Sequence, residues 1–166
     1  LKGPGVGIDT TFNEKFRTFK NEINSIAGID HLTASTNVPG DEIFWASGIR
    51  RSDEEQGRGV MYKIGMDEDY IPAFDVELIA GRNFSPDYGT ENLAVIINLK
   101  TVEFLGYDSP EEAVGQKVHV DGEERHIVGV IADYHQMSLK QEPIPLLYRY
   151  LPANRSFFAM KIVPES

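Results

Sequence analysis

Apolar side chains at Phe12, Phe16, Phe19, Ile23 and Ile26 recur at spacings of four, three, four and three. That period lays them along one stripe of an amphipathic helix, with Lys15, Arg17, Lys20, Glu22 and Asn24 turned elsewhere. The spacing predicts a helix over 11–27, opened by a Thr11/Glu14 capping box and closed by a left-handed Gly28. A stripe of this kind packs, so Phe16, Phe19 and Ile23 are expected to stiffen the unit. Residues 32–38 then alternate small apolar and hydroxyl side chains up to Pro39-Gly40, the mark of a strand and its stop.

From 41 to 59 the period fades. Ile43, Phe44, Trp45 and Ile49 stand in a polar, glycine-containing stretch, which predicts a hairpin or loop excursion. Val60, Tyr62, Ile64 and Met66 alternate as the apolar face of a strand, after which Asp67 or Asp69 is positioned to cap a short helix through Phe74. Pro72 falls in that helix's first turn, where it is tolerated. Residues 78–82 close with Ala80-Gly81, a turn into the Phe84-Ser85-Pro86 loop.

The second half is better punctuated. Val95-Ile96-Ile97 marks 94–98 as a short buried strand, and 99–105 continues as a helix ended by Gly106. Ser109-Pro110-Glu111-Glu112 joins an N-cap serine, a proline at the first helical position and a capping-box glutamate, so a one-turn helix follows. Strands over 117–120 and 125–132 meet around Asp121-Gly122, a type I′ hairpin signal, and 146–150 and 157–163 supply two more. The order of elements predicts an α+β class, with a mixed, mainly antiparallel sheet and packed helices.

Length and composition narrow the functions. The 166 residues fit one domain and can bury roughly 70% of the surface that the unfolded chain exposes. No apolar run approaches the roughly 18 residues of a membrane-spanning helix. The chain opens at Leu1 without a basic and apolar leader, which reads as an excised fragment. The absence of cysteine removes thiolate catalysis, disulfides and cysteine-ligated metals. A net charge of -10 argues against nucleic acid and anionic lipid as partners. Arg50, Arg51 and Arg58, interleaved with Asp53, Glu54 and Glu55, read as a solvated loop.

Candidate chemistry is thin. His119, His126 and His135 with Asp133 invite a metal reading, and His119 and His126 flank the predicted hairpin as possible cross-strand neighbours. His135 lies beyond the strand, so ordinary polar positions explain these residues better. Asp133-Tyr134-His135 also resembles an acid/base pair, but no Gly-x-Ser-x-Gly elbow provides a nucleophile near Ser138. Neither Gly3-Pro-Gly-Val-Gly7 nor Gly57-Arg-Gly59 has the lysine and hydroxyl of a phosphate loop. No catalytic residue, cofactor or metal site is expected, and the chain reads as a non-enzyme. Phe44 and Trp45 form the one aromatic pair in a predicted loop, either buried beneath it or contacting a partner or ligand.

One ordered string remains: Asp69-Tyr-Ile-Pro-Ala-Phe-Asp-Val-Glu-Leu-Ile-Ala-Gly-Arg-Asn-Phe84, then Ala94-Val-Ile-Ile-Asn98, Ala113-Val-Gly-Gln-Lys117 and Ile127-Val-Gly-Val-Ile-Ala-Asp-Tyr-His135. Across roughly 60–150, it resembles the extracytoplasmic core domain of MacB-like, FtsX-type ABC transporter permeases in the form common among Bacteroidetes. The resemblance implies an insert between the first membrane helix and the remaining three of an inner-membrane permease, lying in the periplasm. It implies a porter-like lobe, about 1–40 and 150–166, interleaved with a remainder at about 41–149 that includes a smaller variable lobe. A cytoplasmic ABC ATPase and a second permease protomer would be partners, and an unknown substrate would be exported or extracted by mechanotransmission. The second half of the porter-like lobe is expected beyond Val163, leaving an exposed sheet edge here. A peptide- or ligand-sensing module of such a permease is the alternative, and a metal-dependent hydrolase built on Asp133 and His135 is the third reading.

Overall fold

The computed structural model describes residues 10–136, 142–152 and 156–163. The Gly3–Gly7 stretch, the Thr11 side chain of the expected capping box and Ser138 lie outside what is described. Helix α1 spans Thr10–Asn24 and ends three residues before the expected Ala27, while Gly28 takes its left-handed φ of 87° in the turn that follows. Strands β1 (Ile29–Ser35), β2 (Ala46–Arg51) and β3 (Gly59–Met66) lead to the short helix α2 (Tyr70–Ala73) and to β4 (Leu78–Gly81). Then come β5 (Ala94–Asn98), α3 (Leu99–Leu105), α4 (Pro110–Ala113), β6 (Lys117–Val120), β7 (Glu123–Ile131), β8 (Leu146–Tyr150) and β9 (Phe157–Ile162). The α+β reading, with a mixed sheet and packed helices, is what the chain adopts.

Six strands close on themselves. The order β2-β6-β7-β5-β8-β3 returns to its start because β3 also pairs with β2, which makes a ring of four antiparallel and two parallel contacts. One apolar cluster takes Ile49, Met61, Ile97, Val118, Ile127 and Leu147 from these six strands and fills the ring. The upper end is plugged by Val102 and Leu105 of α3. A second cluster lies outside, where Ile64, Met66, Ile96 and Tyr148 pack beneath Tyr70 and Ile71 of α2. Alternate residues of a strand point to opposite faces, so β5 is buried on both.

This double use explains where the sequence pattern misled. Val60 and Tyr62 share a face with Ile64 but are exposed, and the buried residue in this half of β3 is Met61, which points into the ring. The stretch 41–59 does hold a hairpin, yet β2 also bridges to β6 and completes the ring. Its polar composition hid that role because only Ile49 of β2 is buried.

Two local expectations are corrected. The strand expected over 32–38 is Ile29–Ser35 and stops short of Pro39-Gly40, and Ala80-Gly81, read as a turn, is part of β4 and pairs with β7. Other local signals held. Gly106 ends α3 in the left-handed region, and the Ser109 side chain accepts from the Glu112 amide at the start of α4. Asp121 and Gly122 both have positive φ, as a type I′ turn requires.

The chain's remaining elements flank the ring. β1 pairs with β3 at Ser35 and Met66 and with β9 along most of its length, so β9 is an edge of the sheet among the described residues. Helix α1 covers one face of this pair through Phe16, whose ring lies 5.3 Å from that of Phe158. The other face meets α2, and Lys161 of β9 donates to Asp75 at 2.5 Å.

Candidate functional site

Helix α1 does not bury the stripe its periodicity suggests. Phe16 is buried, but Phe19 is 48% exposed and Ile26 is also open, whereas Lys20, assigned to solvent by composition, is only 6% exposed. Lys20 lies four residues after Phe16 and therefore on the same helix face. Its Nζ donates to Asp67 Oδ2 at 2.9 Å and to Glu68 Oε1 at 3.1 Å, and it also pairs with Asp69. The β3–α2 turn thus wraps three carboxylates around one ammonium.

Asp67 is the centre of this junction. Besides Lys20, it accepts from the Thr33 hydroxyl at 2.5 Å, the Ala34 amide at 2.9 Å and the Asp69 amide at 3.1 Å. Burial works against the Lys20 charge, but the Asp67 carboxylate, followed by the bond to Asp69, outweighs it and raises its pKa above the ordinary lysine value. For Asp67 burial outweighs the Lys20 charge and the bonds from Thr33, Lys20 and Ala34, and its pKa stands above the usual range. Asp69 precedes α2 as expected but makes no side-chain cap. Its carboxylate serves Lys20 and, at 3.2 Å, His31 instead.

Glu68 extends the junction to the ring. Tyr150 of β8 donates to Glu68 Oε2 at 3.1 Å, and Asn83 donates to the Glu68 carbonyl at 2.7 Å. Beside it opens a cleft of about 300 Å³ lined by Phe16, Arg17, Lys20, Glu68 and Tyr150. Helix α1, the β3–α2 turn and β8 therefore meet at one charged junction. Sequence reasoning missed it, although Asp67-Glu68-Asp69 is a visible acidic run and Lys20 fits the helix period.

The residues singled out in the sequence fall elsewhere. Phe44 is 82% exposed and Trp45 56%, so the reading that buries them beneath a loop is corrected; both flank the start of β2. His119 faces Glu124 and His126 faces Lys117, so the two histidines are diagonal across the hairpin and not opposite. No group of three metal-ligating side chains occurs among the described residues. Asp133 accepts from the Lys100 amide at 3.0 Å and so holds the start of α3. The Tyr134 hydroxyl bridges those of Tyr70 and Tyr148 at 3.1 and 3.0 Å, and burial raises all three pKa values well above the ordinary tyrosine value.

The ordered string itself is architectural. A Cβ on Gly81 would lie 2.3 Å from the Val128 carbonyl, and one on Gly129 would lie 2.3 Å from that of Arg82, so these glycines let β4 and β7 touch. Arg82 pairs with buried Glu91 at 2.6 Å. Buried Asn98 accepts from the Thr101 and Leu146 amides at 3.1 and 2.9 Å and ties β5, α3 and β8 together.

No family model and no curated protein sequence matches this chain, and its likeness to known proteins lies in the fold. The periplasmic region of MacB from Actinobacillus actinomycetemcomitans superposes with a TM-score of 0.55 at 17% identity, over 81% of this chain and 54% of that one. The extracellular domain of the noncanonic ABC-type transporter YknZ from Gram-positive bacteria gives 0.53 at 21%, over 78% and 59%. A domain of a protein described as a permease from Porphyromonas gingivalis gives 0.59 at 14%, over 86% and 65%. The chain spans between about half and two thirds of each of these structures. Its fold is that of the MacB-like periplasmic domain. No helix among the described residues is long and apolar enough to cross a membrane.

Proposed function

We propose that this chain is the periplasmic domain of an ABC transporter permease of the bacterial inner membrane, a non-enzymatic relay that carries ATP-driven helix movement to the export or extraction of a substrate. In this reading α1, β1 and β9 belong to a porter-like lobe and the ring to the remainder. A cytoplasmic ATPase and a second permease protomer complete the machine. The fold likeness supports the transporter setting.

The Lys20 junction carries the relay reading. A relay needs a stiff joint between the part that is moved and the part that responds, and dense packing with buried, bonded charge supplies stiffness. Lys20 joins α1 to the β3–α2 turn, and Glu68 passes the connection on to Tyr150 in the ring. The test is Lys20→Met in the full transporter with its ATPase, alongside a four-residue Gly-Ser insertion after Ser25 that leaves the junction intact but loosens the α1–β1 link. Both variants should keep hydrolysing ATP while transport falls at least tenfold. Unchanged transport in both would overturn the relay.

The cleft beside Lys20 favours a second reading, a ligand-sensing module. Arg17 and Glu68 offer both charge signs beside Phe16 and Tyr150, which suits a zwitterionic peptide end. A thermal shift with short peptides that disappears in Arg17→Gln would support sensing, and its absence would leave the relay alone.

A further inference from the structure

The lower end of the ring, at the Asp121-Gly122 turn, is lined with charge. Arg125 stands opposite Val118, Arg149 opposite Val95 and Lys63 opposite Leu147, and all three of those partners belong to the ring's interior cluster. The register therefore directs two guanidiniums and an ammonium inward. Arg125 is 2% exposed. It donates to the Asn92 carbonyl at 2.6 Å and to Glu123 at 2.5 Å, while Glu123 itself is mostly in solvent. Asp121 accepts twice from Lys63 at 2.7 Å, once from Ser47 at 2.5 Å and, at 3.5 Å, from Arg149.

These acceptors do not match the donors. The Nε atoms of both Arg125 and Arg149 are buried without a hydrogen-bond partner among the described residues. Three cations share two carboxylates, and burial followed by the neighbouring Arg149 charge pushes Arg125 below the ordinary arginine value. Like charges held together in a ring's mouth, with guanidinium donors unspent, are the features of a site awaiting acceptors. Trp45 stands at the rim of this end, where its carbonyl accepts from the Lys63 amide at 2.9 Å.

We propose that the lower end of the ring is an oxyanion site that takes a carboxylate or a phosphate between Arg125, Arg149 and Lys63. Guanidinium forks match both groups, which share planar or tetrahedral oxygens with several lone pairs. The site is independent of the relay reading, since it depends only on the ring.

The test follows the arginine Nε–Hε signals of the labelled chain by NMR while sodium phosphate or sodium acetate replaces chloride at constant ionic strength. Arg125 and Arg149 should shift saturably. Saturation by phosphate alone assigns a phosphate ligand, saturation by acetate alone a carboxylate, and saturation by both the shared chemistry. Arg149→Gln, at a partly exposed position, should weaken the response of Arg125 at least tenfold, and Lys63→Gln should weaken it as well. The site is overturned if neither anion moves Arg125 and Arg149 beyond chloride. It is equally overturned if Arg51 and Arg58, at the far end of the ring, shift as much.

Discussion

The ring and the unit that flanks it are held in opposite ways. In the ring every strand has at least two neighbours, the interior is apolar above its charged lower end, and α3 seals the upper end. In the flanking unit, β1 touches β3 at a single register pair, β9 has one strand neighbour among the described residues, and Phe158, Met160 and Ile162 remain largely exposed. Phe16 and one buried lysine are among the anchors of α1 there. Apolar packing is spread over many weak contacts and tolerates small shifts, whereas an ionic anchor concentrates its effect in one geometry. The comparison predicts a robust ring and a flanking unit that a single substitution can release.

The largest effect is expected at the anchor. Lys20→Met leaves Asp67 buried without its cation and should cost about 3–5 kcal/mol in chemical denaturation. Amide exchange should speed first in α1 and β1; equal acceleration in β5 and β7 would erase the distinction between the two regions. Next comes the ring's plug. Leu105→Ala opens space in a fully buried cluster and should cost about 3 kcal/mol, with exchange rising throughout the ring strands.

A smaller effect sharpens the picture at the ring's charged end. Burial opposes the Asp121 charge, but the bonds from Lys63 and Ser47 outweigh it and hold its pKa below the ordinary value of 3.8. A carboxyl depressed in the folded state stabilises it fully above that value, and the contribution is lost as pH falls through the folded pKa. Stability measured from pH 6 down to pH 2 should therefore fall less steeply in Asp121→Asn than in the unaltered chain. The smallest effect is at Phe19, which the helix period assigned to the core and the structure leaves half open. Phe19→Ala should change stability by less than about 0.5 kcal/mol, against about 3 kcal/mol for Phe16→Ala. A large loss at Phe19 would mean that α1 is covered on its outer face.

Most of the elements were legible because their signals are local. The Val95-Ile96-Ile97 run, the Ser109-Pro110 start, the Gly106 stop and the Asp121-Gly122 turn each act through their own backbone or their next few neighbours. The string from Asp69 to His135 pointed to the fold for a related reason, since Gly81, Gly129 and Asn98 hold positions that few other residues can fill. The candidate site was far less visible. Lys20 lies 47 positions from Asp67, and a lysine on a helix reads as a solvent residue until its partner is known. The exposure of Phe44 and Trp45 was undecidable in the same way, because it depends on tertiary neighbours that no local pattern names.

By itself the sequence determined the class of the fold, the kinds of its elements and the places where the chain must turn, for these follow from short-range sterics and periodicity. Only the tertiary structure decided that six strands close into a ring, that Met61 and not its neighbours Val60 and Tyr62 faces inward, and that Lys20 and Arg125 are drawn in from solvent. Ring closure joins residues far apart in the chain, and whether a charge is buried depends on partners that no local pattern can name.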